Sequence, residues 1–118
     1  MTSNQEVEEF LAQLRLAIAE GRYQLVPRKK NLDDIARLGL SVRMAKSIVI
    51  ELAPEDYLKG PEWDLDGSEG DVWVFGKIIE ETQIYIKLKL EKGNVKVLSF
   101  HVAERRLKRP LGDKGADS

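Results

Sequence analysis

Residues 83–101 read QIYIKLKLEKGNVKVLSFH, and this stretch decides the fold. Two runs of alternating apolar and polar residues flank a short turn that contains glycine, which is the pattern of a β-hairpin. Successive side chains of a strand point to opposite faces. The apolar members of the first run therefore share one face, namely Ile84, Ile86, Leu88 and Leu90. The opposite face carries Tyr85, Lys87 and Lys89.

The turn fixes how the two faces of the hairpin match. Residues 91–93 (Glu-Lys-Gly) favour a three-residue loop whose glycine adopts the left-handed conformation. This register predicts that Tyr85 lies opposite Ser99 and that His101 lies diagonal to Tyr85, on a face that also carries Lys87. A tyrosine, a histidine and a lysine on one sheet face indicate a site for chemistry on phosphate.

Composition limits the classes of protein that the chain can belong to. A length of 118 residues with 42% hydrophobic and 33% charged residues predicts one globular domain. The chain has no cysteine and one histidine, so we expect no metal site and no cofactor. No apolar run approaches the ~20 residues that span a bilayer. The acidic start MTSNQEVEEF does not resemble a signal peptide, and we expect a cytoplasmic protein.

The net charge of −1 conceals an uneven distribution of charge. Residues 51–83 hold two basic and ten acidic groups, whereas residues 84–109 hold eight basic and two acidic groups. A basic hairpin can attract the phosphates of a nucleic acid, but solvated strand and tail lysines give the same pattern. The sequence pI of about 5.9 argues against strong nonspecific binding of nucleic acid and allows a local site.

The remaining chain predicts helices over 3–21, 31–39 and 41–52, a helical turn over 54–60, and strands over 22–27 and 71–79. Ser3 or Asn4 is expected to cap the first helix, and Asn31 the second. The core-facing stripe of the first helix is predicted to be Val7, Phe10, Leu11, Leu14, Ala17 and Ile18. The third helix is expected to pack on the sheet through Met44, Ile48, Val49 and Leu52.

This layout predicts an α+β fold, in which helices cover one face of an antiparallel sheet. The sheet combines a C-terminal three-stranded meander with a short N-terminal strand, and its other face is partly open. We expect one domain over residues 1–103. Residues 104–118 are predicted to form a basic, partly disordered tail.

Four segments together resemble a known protein family. They are DYLKGPE at 56–62, DVWVFGK at 71–77, IYIKLKL at 84–90 and VLSFH at 97–101. In this order they resemble the MqsR family of toxins from bacterial type II toxin–antitoxin systems. The resemblance covers roughly residues 8–103. It implies a RelE-like fold, a metal-independent endoribonuclease that cleaves mRNA, and a cognate antitoxin protein as partner; the ribosome is a further candidate partner.

The resemblance also implies which residues form the site. The family's lysine in D-x-x-K corresponds to Lys59, and its strand tyrosine and following lysine correspond to Tyr85 and Lys87. His101 stands where the family carries a lysine. We expect His101 to act as general acid in attack by the RNA 2′-hydroxyl, with the general base left open.

Contacts with RNA outside the catalytic group are expected from Lys89, Arg105, Arg106 and Trp73. The two arginines would add cations to the phosphate site, and an aromatic ring of the 73–75 strand could stack on a base. A second hypothesis is a noncatalytic RNA- or protein-binding module, for example a degenerate toxin that retains only antitoxin binding.

Overall fold

Five strands and three helices form the part of the chain that the computed structural model describes, residues 2–62 and 71–103. The helices are α1 (Asn4–Ala19), α2 (Lys29–Arg37) and α3 (Val42–Ile50), followed by a short 3-10 helix (Pro54–Asp56). The strands are β1 (Tyr23–Leu25), β2 (Tyr57–Glu62), β3 (Val72–Ile79), β4 (Thr82–Glu91) and β5 (Asn94–Val102). They form one sheet in the order β1-β5-β4-β3-β2. The expected α+β fold with its C-terminal meander is confirmed.

The helices pack on one face of the sheet. The predicted stripe of α1 is buried in full, and Ser3 forms a capping box with Glu6 at the start of the helix. Across from α1, the sheet contributes the buried side chains Tyr57, Trp73, Phe75, Ile84, Ile86, Leu88, Val95, Val97 and Phe100. Because α1 is amphipathic at helical spacing and β4 alternates at strand spacing, both elements can bury one face and leave the other exposed.

Strand β1 lies at one edge of the sheet and runs parallel to β5, with Tyr23 opposite Val95 and Leu25 opposite Val97. The other edge is β2, which the sequence interpretation assigned to a helical turn over 54–60. Only Pro54–Asp56 is helical there, and Tyr57–Glu62 pairs antiparallel with β3. The prediction was wrong because Tyr57 fits the core beside Trp73 and Phe75, with ring centroids 6.1 Å from each, and strand geometry places it there.

Two details of the second and third helices also differ from expectation. Helix α2 begins at Lys29, and Asn31 lies inside it, where its buried side chain binds the backbone of β5 instead of capping the helix. On α3, Ala45 and Val49 face the core, whereas Met44 is exposed. The core-facing position is one residue after Met44 and is taken by Ala45, which is fully buried.

The hairpin register differs from the prediction by one residue between the turn and a β-bulge, and by two residues beyond the bulge. The turn is a two-residue one, Lys92-Gly93, with positive φ values of 50° and 78°. Two-residue turns with positive φ at both central residues match the right-handed twist of paired strands better than type I or II turns do. Leu88 pairs with Val97 and Lys87 with Ser99, so Leu98 is the extra, bulged residue. The predicted three-residue loop and the pairing of Tyr85 with Ser99 were therefore wrong.

None of the helices in residues 2–62 and 71–103 is long and apolar enough to cross a membrane. The predicted tail over residues 104–118 lies outside the described residues.

Candidate active site

The face of the sheet opposite the helices, here called the outer face, carries the candidate side chains Tyr85, Lys87, Ser99 and His101 of β4 and β5. They alternate with Ile84, Ile86 and Phe100, which are fully buried on the helix side. All four are partly exposed. On β3 the outer face is buried at Val72 and Val74, which do not belong to the helix-side core, whereas Ile78 is 52% exposed. On β4 and β5, solvent reaches this face at the four candidate side chains.

Tyr85 and His101 are direct cross-strand partners. Their rings stack, with centroids 5.1 Å apart and planes inclined by 14°. The bulge at Leu98 produces this arrangement. Without its extra residue, the pairing of Leu88 with Val97 would continue to Tyr85 with Phe100, and His101 would lie opposite Ile84 on the helix side. An aromatic pair of this kind contributes about 0.5–1.5 kcal/mol beyond the area it buries. The stack therefore fixes the position of the imidazole.

The orientation of the imidazole also assigns its two nitrogens. Nδ1 of His101 lies 3.1 Å from the carbonyl oxygen of Val102. A carbonyl oxygen can only accept a hydrogen bond, so this contact favours a proton on Nδ1. Nε2 is then the nitrogen that exchanges a proton with a ligand on the outer face.

Two lysines lie in one row across the sheet beside this stack. Lys59 of β2 pairs with Val74, which pairs with Lys87, which pairs with Ser99. With neighbouring strands about 4.8 Å apart, the Cα atoms of Lys59 and Lys87 are separated by about 10 Å. The Lys59 side chain is 56% exposed, and its Nζ lies 3.8 Å from the Glu62 carboxylate. Lys87 therefore lies next to the Tyr85–His101 pair on β4, whereas Lys59 lies two strands away on β2.

Lys89 is less available than the alternation of β4 indicates. It is 2% exposed, and its Nζ lies 3.2 Å from Glu91. Glu91 also accepts a hydrogen bond of 2.8 Å from Lys96. The hydrogen bonds from Lys96 and then Lys89 lower the pKa of the Glu91 carboxyl below its ordinary value. The basic charge at the turn end of the hairpin is thus partly offset by this carboxylate.

Trp73 lies on the opposite face from the stacked pair. It is 8% exposed and stacks on Phe10 of α1, with ring centroids 4.4 Å apart. Its ring belongs to the core, and the structure does not bring it together with Tyr85 and His101. Arg105 and Arg106 lie outside the described residues.

A cavity of about 330 Å³ opens at the other side of the sheet, between α1 and β3. Its lining includes Glu6, Glu9, Asp71, Phe10 and Trp73. Three carboxylates repel phosphate, so this cavity does not suit the backbone of RNA. Within residues 2–62 and 71–103, no group of three or more histidine, aspartate or glutamate side chains could hold a metal ion.

Sequence reasoning missed two residues that shape the site, Asn31 and Asp34 of α2. Both are buried and both bind the backbone of β5 on either side of His101. Their only signal in the sequence is a pair of short polar residues three positions apart, which are neighbours on a helix. Surface helices carry many such pairs, so the pattern alone could not have distinguished them.

No model of a known protein family matches this chain, and no curated protein matches it either.

Proposed function

We propose that this chain is a metal-independent endoribonuclease of the MqsR type, with a RelE-like fold, acting as the toxin of a type II toxin–antitoxin system. The observation that carries the proposal is the stacked Tyr85–His101 pair with Lys87 two residues along the same face. The four segments that resemble the MqsR family support it, since they contribute Lys59, Tyr85, Lys87 and His101.

RNA contains its own nucleophile, and this limits what the protein must supply. The ribose 2′-oxygen forms a bond to the adjacent phosphorus, and the bond from phosphorus to the 5′-oxygen of the next nucleotide breaks. A base accepts the 2′-hydroxyl proton, and an acid donates a proton to the leaving 5′-oxygen. The products are a 2′,3′-cyclic phosphate and a 5′-hydroxyl end, without oxidation or reduction.

His101 is the group best suited to donate that proton. Imidazole is the side chain that most often serves as general acid or base in enzymes. With Nδ1 directed to the Val102 carbonyl, the imidazolium donates from Nε2. Tyr85 holds the ring and places its own hydroxyl on the same face, where it orients the phosphate.

Positive charge on the outer face stabilises the transition state. The phosphorane-like transition state carries more negative charge on its nonbridging oxygens than the substrate does. Lys87 lies within two residues of Tyr85 along β4, a Cα separation of about 6.6 Å. Lys87 binds these oxygens, and Lys59, two strands away in the same row, holds a flanking phosphate.

A defined RNA incubated with the protein in EDTA tests the proposal. We expect discrete fragments with 2′,3′-cyclic phosphate ends, about 100-fold slower cleavage or worse for His101→Ala, and slower cleavage for Tyr85→Phe and Lys87→Met. Tyr23→Phe and Lys46→Ala are matched controls, because Lys46 lies over the Tyr23 ring on the helix side. Intact RNA at every sequence tested would overturn the nuclease assignment.

The toxin role has a separate readout. Expression of the chain is expected to arrest bacterial growth, and His101→Ala is expected to relieve the arrest. A small protein that copurifies with the chain and blocks cleavage would identify the antitoxin. Growth arrest that persists in the His101→Ala variant would contradict a toxin that acts through RNA cleavage.

The partial neutralisation of the hairpin's charge by Glu91 favours one alternative, a noncatalytic binding module. Such a module would shift RNA in a gel, with binding weakened by salt, and give no products. If only a protein partner binds, the chain is a degenerate toxin that retains antitoxin binding.

A further inference from the structure

We propose that Asn31 and Asp34 are positioning residues, which hold β5 on both sides of His101 so that its imidazole stacks on Tyr85. The effect on RNA cleavage rests on the proposed nuclease function. The effect on the geometry of His101 does not rest on it.

Strand β5 pairs with β4 on one side and needs hydrogen-bond partners for its backbone on the other side. Strand β1 provides them only for residues 95–97, and Val26 adds a hydrogen bond to the Val97 carbonyl. The following half of β5 carries the site, and buried backbone groups there must find other partners. Helix α2 provides them with side chains in place of a strand.

Asn31 uses its whole amide group for this purpose. It is 2% exposed; Nδ2 donates to the carbonyls of Leu98 (3.1 Å) and Val26 (3.0 Å), and Oδ1 accepts from the amide of Phe100 (3.1 Å). Leu98 is the bulged residue of β5. Asn31 therefore stabilises the extra residue that places His101 opposite Tyr85; without the bulge, the register of the turn would pair Tyr85 with Phe100 and turn His101 to the helix side.

Asp34 holds the other side of His101. Its Oδ2 accepts a hydrogen bond of 3.0 Å from the amide of Val102. The carbonyl of the same Val102 is the group that Nδ1 of His101 contacts. Lys30 and Arg37, at 3.8 and 3.7 Å, offset the charge of this buried carboxylate. The backbone at Val102 is thus fixed by Asp34 and in turn directs the imidazole.

The experiment measures the position of the His101 ring directly. The chain has one histidine, so the imidazole protons give one set of NMR signals. The Tyr85 ring, stacked at 5.1 Å, is expected to shift them upfield relative to the Tyr85→Leu variant, which defines the unstacked value.

Asp34→Ala and Asn31→Asp are expected to lose at least about half of that shift. Asn31→Asp keeps the acceptor for Phe100 but loses both donated bonds. Asp34→Asn retains an acceptor oxygen and is expected to keep the shift. Ile35→Val is the control for a purely structural effect, because Ile35 lies in the same helix, is buried in the core and makes no side-chain hydrogen bond. It should cost about 0.5–1.5 kcal/mol and leave the shift unchanged.

Full upfield shifts in folded Asp34→Ala and Asn31→Asp would overturn the proposal. Where Asp34→Ala does not fold, Asp34→Ser replaces it, and the shift of Asn31→Asp then decides. If the wild-type protein cleaves RNA, the two variants are expected to lower kcat by about 10-fold or more with little change in KM. If it does not cleave RNA but the shifts behave as expected, the nuclease assignment fails and the positioning role stands.

Discussion

Two tyrosine-to-phenylalanine substitutions are expected to change stability in opposite directions. The Tyr23 hydroxyl is buried and has no hydrogen-bond partner in the described part of the chain. The Tyr57 hydroxyl donates to the carbonyl of Gly60. A buried hydroxyl without a partner costs about 1–3 kcal/mol in proteins. Because the Tyr23 residue as a whole is only partly buried, we take the lower end and expect Tyr23→Phe to stabilise the fold by about 1 kcal/mol.

Tyr57→Phe is expected to destabilise the fold by about 1 kcal/mol, the usual net value of one hydrogen bond. The loss should not be larger, because Thr2 Oγ1 also donates to the Gly60 carbonyl, at 2.7 Å. The two variants thus differ by about 2 kcal/mol although the chemical change is identical. Urea unfolding followed by circular dichroism measures both changes. We expect the two variants to have the same m value, the slope of the free energy of unfolding against urea concentration. Equal destabilisation by the two substitutions would refute the assignment of an unpartnered Tyr23 hydroxyl.

Three further predictions concern stability. Burial raises the pKa of Tyr23 to about 12. Between pH 10, near the value of the unfolded chain, and pH 12, the tyrosine ionises in the unfolded chain but not in the folded one, so we expect the free energy of unfolding to fall by about 2 kcal/mol as pH rises through this range. Urea unfolding should show this loss in the wild type but not in Tyr23→Phe. Gly60→Ala should cost about 3 kcal/mol or prevent folding, because Gly60 has a φ of 118° and an added Cβ would lie 2.6 Å from the Val72 carbonyl oxygen; a thermal melt at the wild-type Tm would contradict this. The hydrogen bond from Lys96 lowers the pKa of Glu91, so stability should fall as pH drops below the ordinary value of 4.5, and Glu91→Gln should weaken that dependence in acid unfolding.

Features that depend on neighbouring residues could be predicted from the sequence. The stripe and cap of α1 follow from apolar spacing and from a serine three residues before a glutamate. The alternation of β4 follows from the period of a strand. It correctly places Tyr85 and Lys87 on one face. His101 of β5 shares that face although the predicted register was wrong, because the shorter turn and the bulge each shift β5 by one residue.

Features that depend on distant residues could not be predicted. The bulge at Leu98 is bound by Asn31, which is 67 residues away in sequence. Strand β3 reads as an unbroken apolar run, so its pattern does not say which face Trp73 takes. Phe10 on α1 decides that, because the two rings stack. Tyr57 likewise joins a strand because β3 needs a partner, which the sequence around Tyr57 does not reveal.

The side chains of α2 that hold β5 also have a consequence for the order of folding. Their hydrogen bonds to β5 close loops of 67 to 69 residues, whereas the β4–β5 turn closes a loop of two. Closing a long loop costs more chain entropy and slows folding, so we expect the hairpin to form first. Until α2 docks, the early hairpin can exchange between its bulged and regular registers. Docking of α2 then stabilises the bulged register, in which His101 lies beside Tyr85 on the outer face.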